Sequence, residues 1–326
     1  MNDLKDRIKA LVAEDLAHIE TALARNLEPY YDLTRDIAGH VLFSGGKRLR
    51  PLLMVLSARL CGYEGSDDKD ISVLFEYLHA ATLIHDDLVD EAAMRRGRES
   101  AHLRFGNAQA VLTGDFLLAR SLSLAARTGL PKVIGIIAKI TEDMSQGEIQ
   151  QMANKGRLDL SEMEYMDVIE RKTAVLIRGA CTTGALIAGA GEAGEKALND
   201  YGYALGMAFQ MADDLLDYTA DSLTLGKEVG ADLKEGKLTL PVIVALSRAE
   251  GEDRHFLEQL VKGKNFSDGD FQRFIGVLEK LGGLSYTKEK AVENVGKAKQ
   301  ALARFPESET REMLFMLADY ALIRKS

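Results

Sequence analysis

Two short segments carry the acid chemistry that this chain concentrates: Asp86-Asp87-Leu88-Val89-Asp90 and Asp213-Asp214-Leu215-Leu216-Asp217. In each, the first and last aspartates stand at i and i+4, which on a helix places them on one face with Cβ atoms about 5–6 Å apart. Both copies are set among apolar residues, in ATLIHDDLVD and AFQMADDLLD. Carboxylates that interrupt an apolar stripe are costly to bury without a partner, and a cluster of them repels itself unless cations fill it. All-oxygen ligands with open positions suit Mg²⁺, which keeps part of its water and binds through one or two carboxylates plus substrate phosphates. Neither segment has the Asp-x-Asp-x-Asp-Gly pattern of a calcium loop. One such motif alone reads as a solvated acidic face. Two matching copies, too far apart in the chain to share a helix, predict a metal site whose carboxylates face one another across a bundle cavity.

Basic groups accompany both motifs. Arg95 and Arg96 follow the first, and Gly45-Gly46-Lys47-Arg48-Leu49-Arg50-Pro51 sets cationic side chains beside flexible glycines. The Gly-x4-Gly-Lys-Ser/Thr pattern of a nucleotide phosphate loop is absent. His79, Thr82, Asp86 and Asp90 fall on one helical face, as do Gln210, Asp213 and Asp217. Lys172-Thr173 lies in EYMDVIERKTAVLIRGA, where the lysine interrupts the approach to an apolar run. Lys227 and Lys237 follow the second motif. Singly, each lysine is an ordinary solvated position, GGKRLRP an ordinary exposed turn and His79 an ordinary structural histidine. Together they imply a site for two diphosphates, one gripped through Mg²⁺ between the acidic motifs and the other directly by Lys and Arg.

The elements that must position these groups are helices. The chain has 326 residues, 46% apolar and 28% charged, with 5 prolines and no tryptophan. That composition buries a core, and long proline-free runs of Ala, Leu, Glu, Lys and Met favour helix. Helical periodicity recurs throughout, and strand-like alternation is nearly absent. An apolar stripe through Leu4, Ile8 and Leu11 is interrupted by Asp15 and resumes one position over in Val12, Leu16, Ile19 and Leu23. Gly, Pro, Asp and Ser clusters at 44–51, 61–68, 95–100, 127–132, 153–160, 188–195, 220–237, 261–270 and 279–285 read as breaks between helices. No linker separates two domains, so the expectation is one all-α domain, a helical bundle spanning residues 1–326. The net charge of −9 argues against a nucleic-acid binder. Two cysteines, Cys61 and Cys181, suit a reducing compartment and buried apolar roles. The charged N-terminal stretch reads as no signal peptide, and no apolar run reaches the length of a membrane span, so a cytoplasmic protein is expected.

The order GGKRLRP, His79, DDLVDEAAMRRG, SQGEIQQ (145–151), ERKTA (170–174), FQMADDLLD and GKEVGADLKEGKLTLP resembles the trans-type (head-to-tail) polyprenyl diphosphate synthases, most nearly the medium- and long-chain, octaprenyl-type members. The resemblance implies an isoprenoid synthase-type fold, a single-domain helical bundle around a deep central cavity. It implies Mg²⁺, three ions per active site with substrate bound, held by Asp86, Asp90, Asp213 and Asp217, with Asp87 and Asp214 as further members of the metal set. Lys47, Arg50, His79 and Arg96 would hold isopentenyl diphosphate. Arg95, Lys172, Thr173, Gln210, Lys227 and Lys237 would contact the allylic diphosphate, and Asp86, Asp90, Arg95, Lys172 and Asp213 would be catalytic. Cations and basic residues would stabilise the departing diphosphate, the alkene of isopentenyl diphosphate would attack the allylic carbocation, and the departing diphosphate would take the proton. An apolar, water-poor cavity would protect the cation. The family also implies a homodimer, with transient membrane contact for release of a lipophilic product.

Product length follows from the helix that carries the first motif. The growing chain is expected to run from Asp86 toward that helix's N-terminus, past Thr82 and Ala81. Short-chain relatives often place an aromatic plug there and here both residues are small, so a long product of C30 to C50 is expected. Leu117, Leu118 and Met144 are candidate floor residues. The competing readings are a short-chain C15–C20 synthase, a class I terpene cyclase, whose second metal motif usually carries Asn/Ser/Glu-type ligands, and a non-catalytic subunit of a heteromeric synthase, which typically loses aspartates or arginines.

Overall fold

The computed structural model describes residues 2–29, 31–219, 230–263 and 267–323. Its helices are, in order, α1 (Asn2–Leu27), α2 (Asp32–Leu42), α3 (Leu49–Leu60), α4 (Asp68–Ser72), α5 (Leu74–Val89), α6 (Ala101–Phe105), α7 (Asn107–Arg127), α8 (Pro131–Ala153), α9 (Glu162–Ile169), α10 (Val175–Ile187) and α11 (Gly191–Thr219). There follow α12 (Ala231–Lys234), α13 (Leu240–Arg248), α14 (Gly251–Lys262), α15 (Asp268–Lys280), α16 (Gly283–Ala301) and α17 (Glu309–Ile323). The all-α expectation holds, and the exceptions are small and local. A two-stranded hairpin, β1 (Met94–Arg95) and β2 (Arg98–Glu99), follows α5, and a π-helical turn (Glu170–Ala174) joins α9 to α10. Among the described residues no helix is long and apolar enough to cross a membrane.

By its internal contacts the chain forms two compact units, whose boundaries fall inside α8, α10, α11 and α17 and at the end of α16. The first comprises Met1–Ile140, Leu176–Gly202 and Leu302–Met316. In α1, Ile8, Val12, Ile19 and Leu23 are buried, and Leu11 is 50% exposed. Asp15 continues the buried stripe instead of breaking it, because Arg59 of α3 donates to its Oδ1 at 2.5 Å. Tyr77 of α5 donates from its buried hydroxyl to the Leu23 carbonyl at 2.6 Å. On α7, Ser121 donates to the Leu74 carbonyl of α5 at 3.0 Å. These two helices approach closely at Gly114, where a Cβ would lie 2.2 Å from His85 Nε2. A larger residue there would have to displace the part-exposed His85 ring that fills the gap.

The second unit comprises Thr141–Val175, Tyr203–Ala301 and Leu317–Ser326. Its core joins Tyr165 and Ile169 of α9, Met207, Met211 and Tyr218 of α11, and Phe271, Phe274 and Leu278 of α15. Helix α13 is buried all round from Leu240 to Leu246, as a helix apolar on every face must be. Pro241 occupies its first turn, where the missing N–H costs nothing. Helix α16 packs on it where Gly283 lies against the Pro241 carbonyl, a contact that leaves no room for a Cβ.

Candidate active site

In the first unit the acidic motif sits at the very end of a helix. Asp86 and Asp87 occupy the last turn of α5 and Asp90 is its C-cap, its N–H bonded to the Asp86 carbonyl at 2.8 Å. Glu91 then takes a left-handed φ of 51°. The N–H of Ala92 reaches the Asp87 carbonyl at 2.9 Å and that of Glu91 reaches Leu88 at 3.4 Å. This is the pair of bonds that closes a helix with a left-handed residue after its cap. Three carboxylates thus crowd the negative end of the helix dipole, where positive charge is favoured. For Asp87, 2% exposed, that charge comes from Arg95, whose Nη2 lies 2.5 Å from Oδ1. Asp86 and Asp90, one turn apart and partly exposed, present the hard oxygen donors that suit Mg²⁺.

The chain after α5 is built to aim its arginines. Arg95 pairs with Arg98 across the hairpin, so its two-residue loop is Arg96-Gly97. Both loop residues have positive φ, 50° and 74°, as a hairpin turn matched to strand twist requires. Arg96 donates through Nη1 to the carbonyl of Gly45, joining the turn to the GGKRLRP loop. A Cβ at Gly46 would meet Nη1 of Arg48 at 3.0 Å and Nη1 of Arg96 at 3.2 Å. Arg48 is the loop's anchor. It is 4% exposed and donates to Glu20 at 2.7 Å, Glu76 at 2.9 Å and the Leu42 carbonyl at 2.7 Å. Lys47 beside it is exposed and Arg50 stands partly exposed in the first turn of α3. Burial, then the guanidiniums of Arg50, Arg96, Arg95 and Arg48, hold the His79 imidazole well below the ordinary histidine value. A neutral histidine amid four arginines is a place that receives anions. Ala81 is buried, and Thr82 returns its hydroxyl to the His79 carbonyl at 2.9 Å.

In the second unit Lys172, Thr173, Gln210, Asp214 and Lys237 line a cavity of ≈ 180 Å³ together with Gln151, whereas Asp213 and Asp217 are not part of its lining. Lys172 and Thr173 ride on the π-helical turn, a local widening often found at functional sites. Two glycines make room for it. A Cβ at Gly147 of α8 would lie 2.8 Å from Arg171 Cβ, and one at Gly206 of α11 would lie 2.5 Å from Ala174 Cα. The SQGEIQQ segment supplies more than that gap: Lys172 Nζ donates to Gln151 Oε1 at 2.7 Å and pairs with Glu148. Thr173 donates to Gln210 Oε1 at 2.7 Å, and Gln210 Nε2 donates to Asp214 Oδ1 at 2.8 Å. The other Asp214 oxygen accepts from Tyr165 Oη at 2.5 Å. Gln210 is thus bonded to Asp214 at i+4 and not drawn to Asp213 at i+3. Adjacent helical residues point about 100° apart, so Asp213 stands exposed while Asp214 and Asp217 are buried. Asp217 Oδ2 accepts from the Asp232 N–H at 3.1 Å. Burial and the nearby Asp232 raise the Asp214 carboxyl above the carboxylate range, against the two donors. Burial holds the Tyr165 phenol protonated far above its ordinary value. Lys237 is paired with Glu235 at 2.5 Å. Lys227 lies outside the described residues.

Sequence spacing missed Tyr165, Arg48, Glu76, Glu148 and Asp232. For Tyr165 a signal existed: it stands at i−7 from Lys172, on the same helical face. Arg48 was hidden by its neighbours Lys47 and Arg50, since nothing in a run of cations tells which one turns inward. The donor set of both motifs is all carboxylate oxygen, which fits an ion that shares its shell with water and phosphate. Among the described residues no group of three or more Asp, Glu, His or Cys side chains forms a ready-made metal cage.

The fold is all-helical and carries two aspartate-rich segments near helix ends, each with cationic or amide side chains beside it. Comparison with known proteins supplies the class. The family model described as Polyprenyl synthetase matches residues 32–278. The chain is 38% identical to the octaprenyl diphosphate synthase of Escherichia coli over 98% of both chains. It superposes with a TM-score of 0.92 on a polyprenyl synthase from Caulobacter crescentus complexed with calcium and isoprenyl diphosphate, 39% identical over 98% of each chain. A decaprenyl diphosphate synthase from Rhodobacter capsulatus gives 0.91 at 39% identity, covering 97% of this chain and 98% of that one. The chain belongs to the polyprenyl synthetase family and is a prenyltransferase.

Proposed function

We propose that the enzyme condenses isopentenyl diphosphate with an allylic prenyl diphosphate, repeatedly, to a long trans-polyprenyl diphosphate of C30 to C50. The observation that carries this reading is the convergence of Lys172, Thr173, Gln210, Asp214 and Lys237, from three distant parts of the sequence, on one cavity. Lys172 and Lys237 place there the cationic charge a diphosphate needs, and Thr173 and Gln210 add polar groups of fixed orientation. Asp86 and Asp90, with Asp213 and Asp217, would hold Mg²⁺, three ions with substrate bound, and Asp214 would support that set. When bound, Mg²⁺ supplies Lewis-acid neutralisation of the charge that develops on the departing diphosphate. Arg95, kept in place by Asp87, contributes a fixed cation toward the same diphosphate, and the family pattern assigns Lys227 to that diphosphate too. Lys47, Arg50, Arg96 and neutral His79 bind the diphosphate of isopentenyl diphosphate. The GGKRLRP loop needs no rearrangement to do so, because Arg48 already anchors it.

Small residues at Ala81 and Thr82 leave the α5 face below Asp86 without an aromatic plug, which supports long products. The octaprenyl and decaprenyl names of its relatives point the same way. A homodimer and transient membrane contact on product release complete the reading.

Incubation with labelled isopentenyl diphosphate, Mg²⁺ and allylic primers of several lengths, followed by product sizing, tests it. Elongation that stops on chelation of Mg²⁺ and resumes when it is restored is expected. No elongation with any primer would favour a non-catalytic subunit, and cyclic hydrocarbon from one prenyl diphosphate alone would favour a cyclase.

A further inference from the structure

We infer that Tyr165 is a positioning residue of the second aspartate motif, fixing Asp214 and, through Gln210, the direction in which Thr173 points its hydroxyl. The inference rests on the diphosphate-binding role proposed above for that cavity. Tyr165 is 4% exposed and Asp214 3% exposed, so neither exchanges its partner for water. A phenol O–H and an amide N–H both donate. Asp214 therefore takes the Tyr165 O–H on Oδ2 at 2.5 Å and the Gln210 N–H on Oδ1 at 2.8 Å. With its amide nitrogen committed to Asp214, Gln210 turns its carbonyl to Thr173. That carbonyl can only accept, so Thr173 donates to it at 2.7 Å. The polarity of the whole chain of bonds is thus dictated from the buried carboxylate outward.

The consequence lies at the cavity wall. Lys172 and Thr173 are adjacent on the π-helical turn, and Gln210 and Asp214 line the same cavity. Removing the phenol O–H leaves Asp214 held on one oxygen only, free to turn about its Cβ–Cγ bond and to draw Gln210 with it. Thr173 keeps its backbone position but loses the fixed orientation of the Gln210 amide to which it donates. Lys47, Arg50, His79 and Arg96 belong to the first compact unit, so the KM of isopentenyl diphosphate serves as the internal comparison.

The test is Tyr165→Phe, which keeps the buried ring. Calorimetric titration of wild type and variant with inorganic pyrophosphate plus Mn²⁺ is expected to show roughly tenfold weaker binding, the scale of one hydrogen bond to a charged group. The KM of the allylic primer should rise in step while that of isopentenyl diphosphate stays within about twofold. Tyr201→Phe is the control. It removes another buried phenol, one donating to the Leu314 carbonyl at 2.8 Å and outside the cavity lining, and should leave the pyrophosphate titration unchanged. Unaltered binding in Tyr165→Phe overturns the inference. So does equal loss in both variants, or a loss matched by a fall in Tm, which would mark packing alone. An inactive wild-type chain would count against the proposed function instead.

Discussion

The guanidinium of Arg95 turns back eight residues to the buried carboxylate of Asp87, meeting Oδ1 through Nη2 at 2.5 Å and through Nε at 2.6 Å. The middle acidic residue of the first motif is therefore engaged by a cation of its own chain. The pair ties the end of α5 to the hairpin, so that Asp86, Asp90 and the arginines move as one piece.

Asp87→Asn should loosen that piece without emptying it. Loss of the charge-assisted bonds, with Arg95 32% exposed on its side chain, is expected to cost about 1–2 kcal/mol of stability. The KM for the allylic substrate should rise roughly tenfold as Arg95 loses its fixed direction. Urea unfolding and steady-state kinetics at saturating Mg²⁺ check both. Unchanged KM with lowered stability would make Asp87 purely structural.

Gly206→Ala should damage catalysis from behind the site. Its Cβ would lie 2.5 Å from Ala174 Cα, and backbone on both sides cannot yield cheaply. Overpacking of this kind costs about 1–3 kcal/mol. The π-helical turn carrying Lys172 and Thr173 must shift, and kcat should fall by on the order of tenfold or more. A variant that is destabilised but fully active would show that the turn's position is not critical.

His79 predicts a pH dependence of known sign. Its folded-state value lies below the ordinary 6.5, so the unfolded chain takes up this proton first as pH falls. Its contribution to stability is complete above about 6.5 and is lost as pH drops below that value. Urea unfolding at pH 7.5 and 5.5 should show a smaller loss in His79→Asn than in wild type. In the free enzyme its ring resonances should not titrate between pH 8 and 6, and added pyrophosphate should raise the midpoint by placing negative charge nearby. A midpoint at or above 6.5 without ligand contradicts this.

Ala81→Phe should shorten the product. Ala81 is 2% exposed on the face of α5 one turn before the acidic motif, and the larger ring should cost about 1–3 kcal/mol in packing. Product sizing with a fixed primer is the measurement; an unchanged distribution with intact activity would remove Ala81 from control of chain length.

Much of this was legible in the sequence because helices translate spacing into direction. The i and i+4 aspartates, the amphipathic runs and the glycine-marked breaks each rest on local geometry. Where the local rule met tertiary packing it was bent. Asp15 joined the core because Arg59, far away in sequence, satisfied it. Gln210 went to Asp214 and not to Asp213 because Tyr165 and the buried side of α11 lie there. ERKTA forms a π turn accommodated by Gly147 and Gly206, which no single-segment pattern contains.

By itself the sequence determined the residue types available for chemistry, their spacing within each helix and the all-helical architecture, since periodicity and side-chain chemistry are properties of neighbouring residues. Only the tertiary structure decided which of Lys47, Arg48 and Arg50 turns inward, which aspartates are already engaged, and how Thr173, Gln210, Asp214 and Tyr165 are joined in one directed chain. Those outcomes depend on burial and on hydrogen-bond partners from distant segments, and both come into being only when the chain packs.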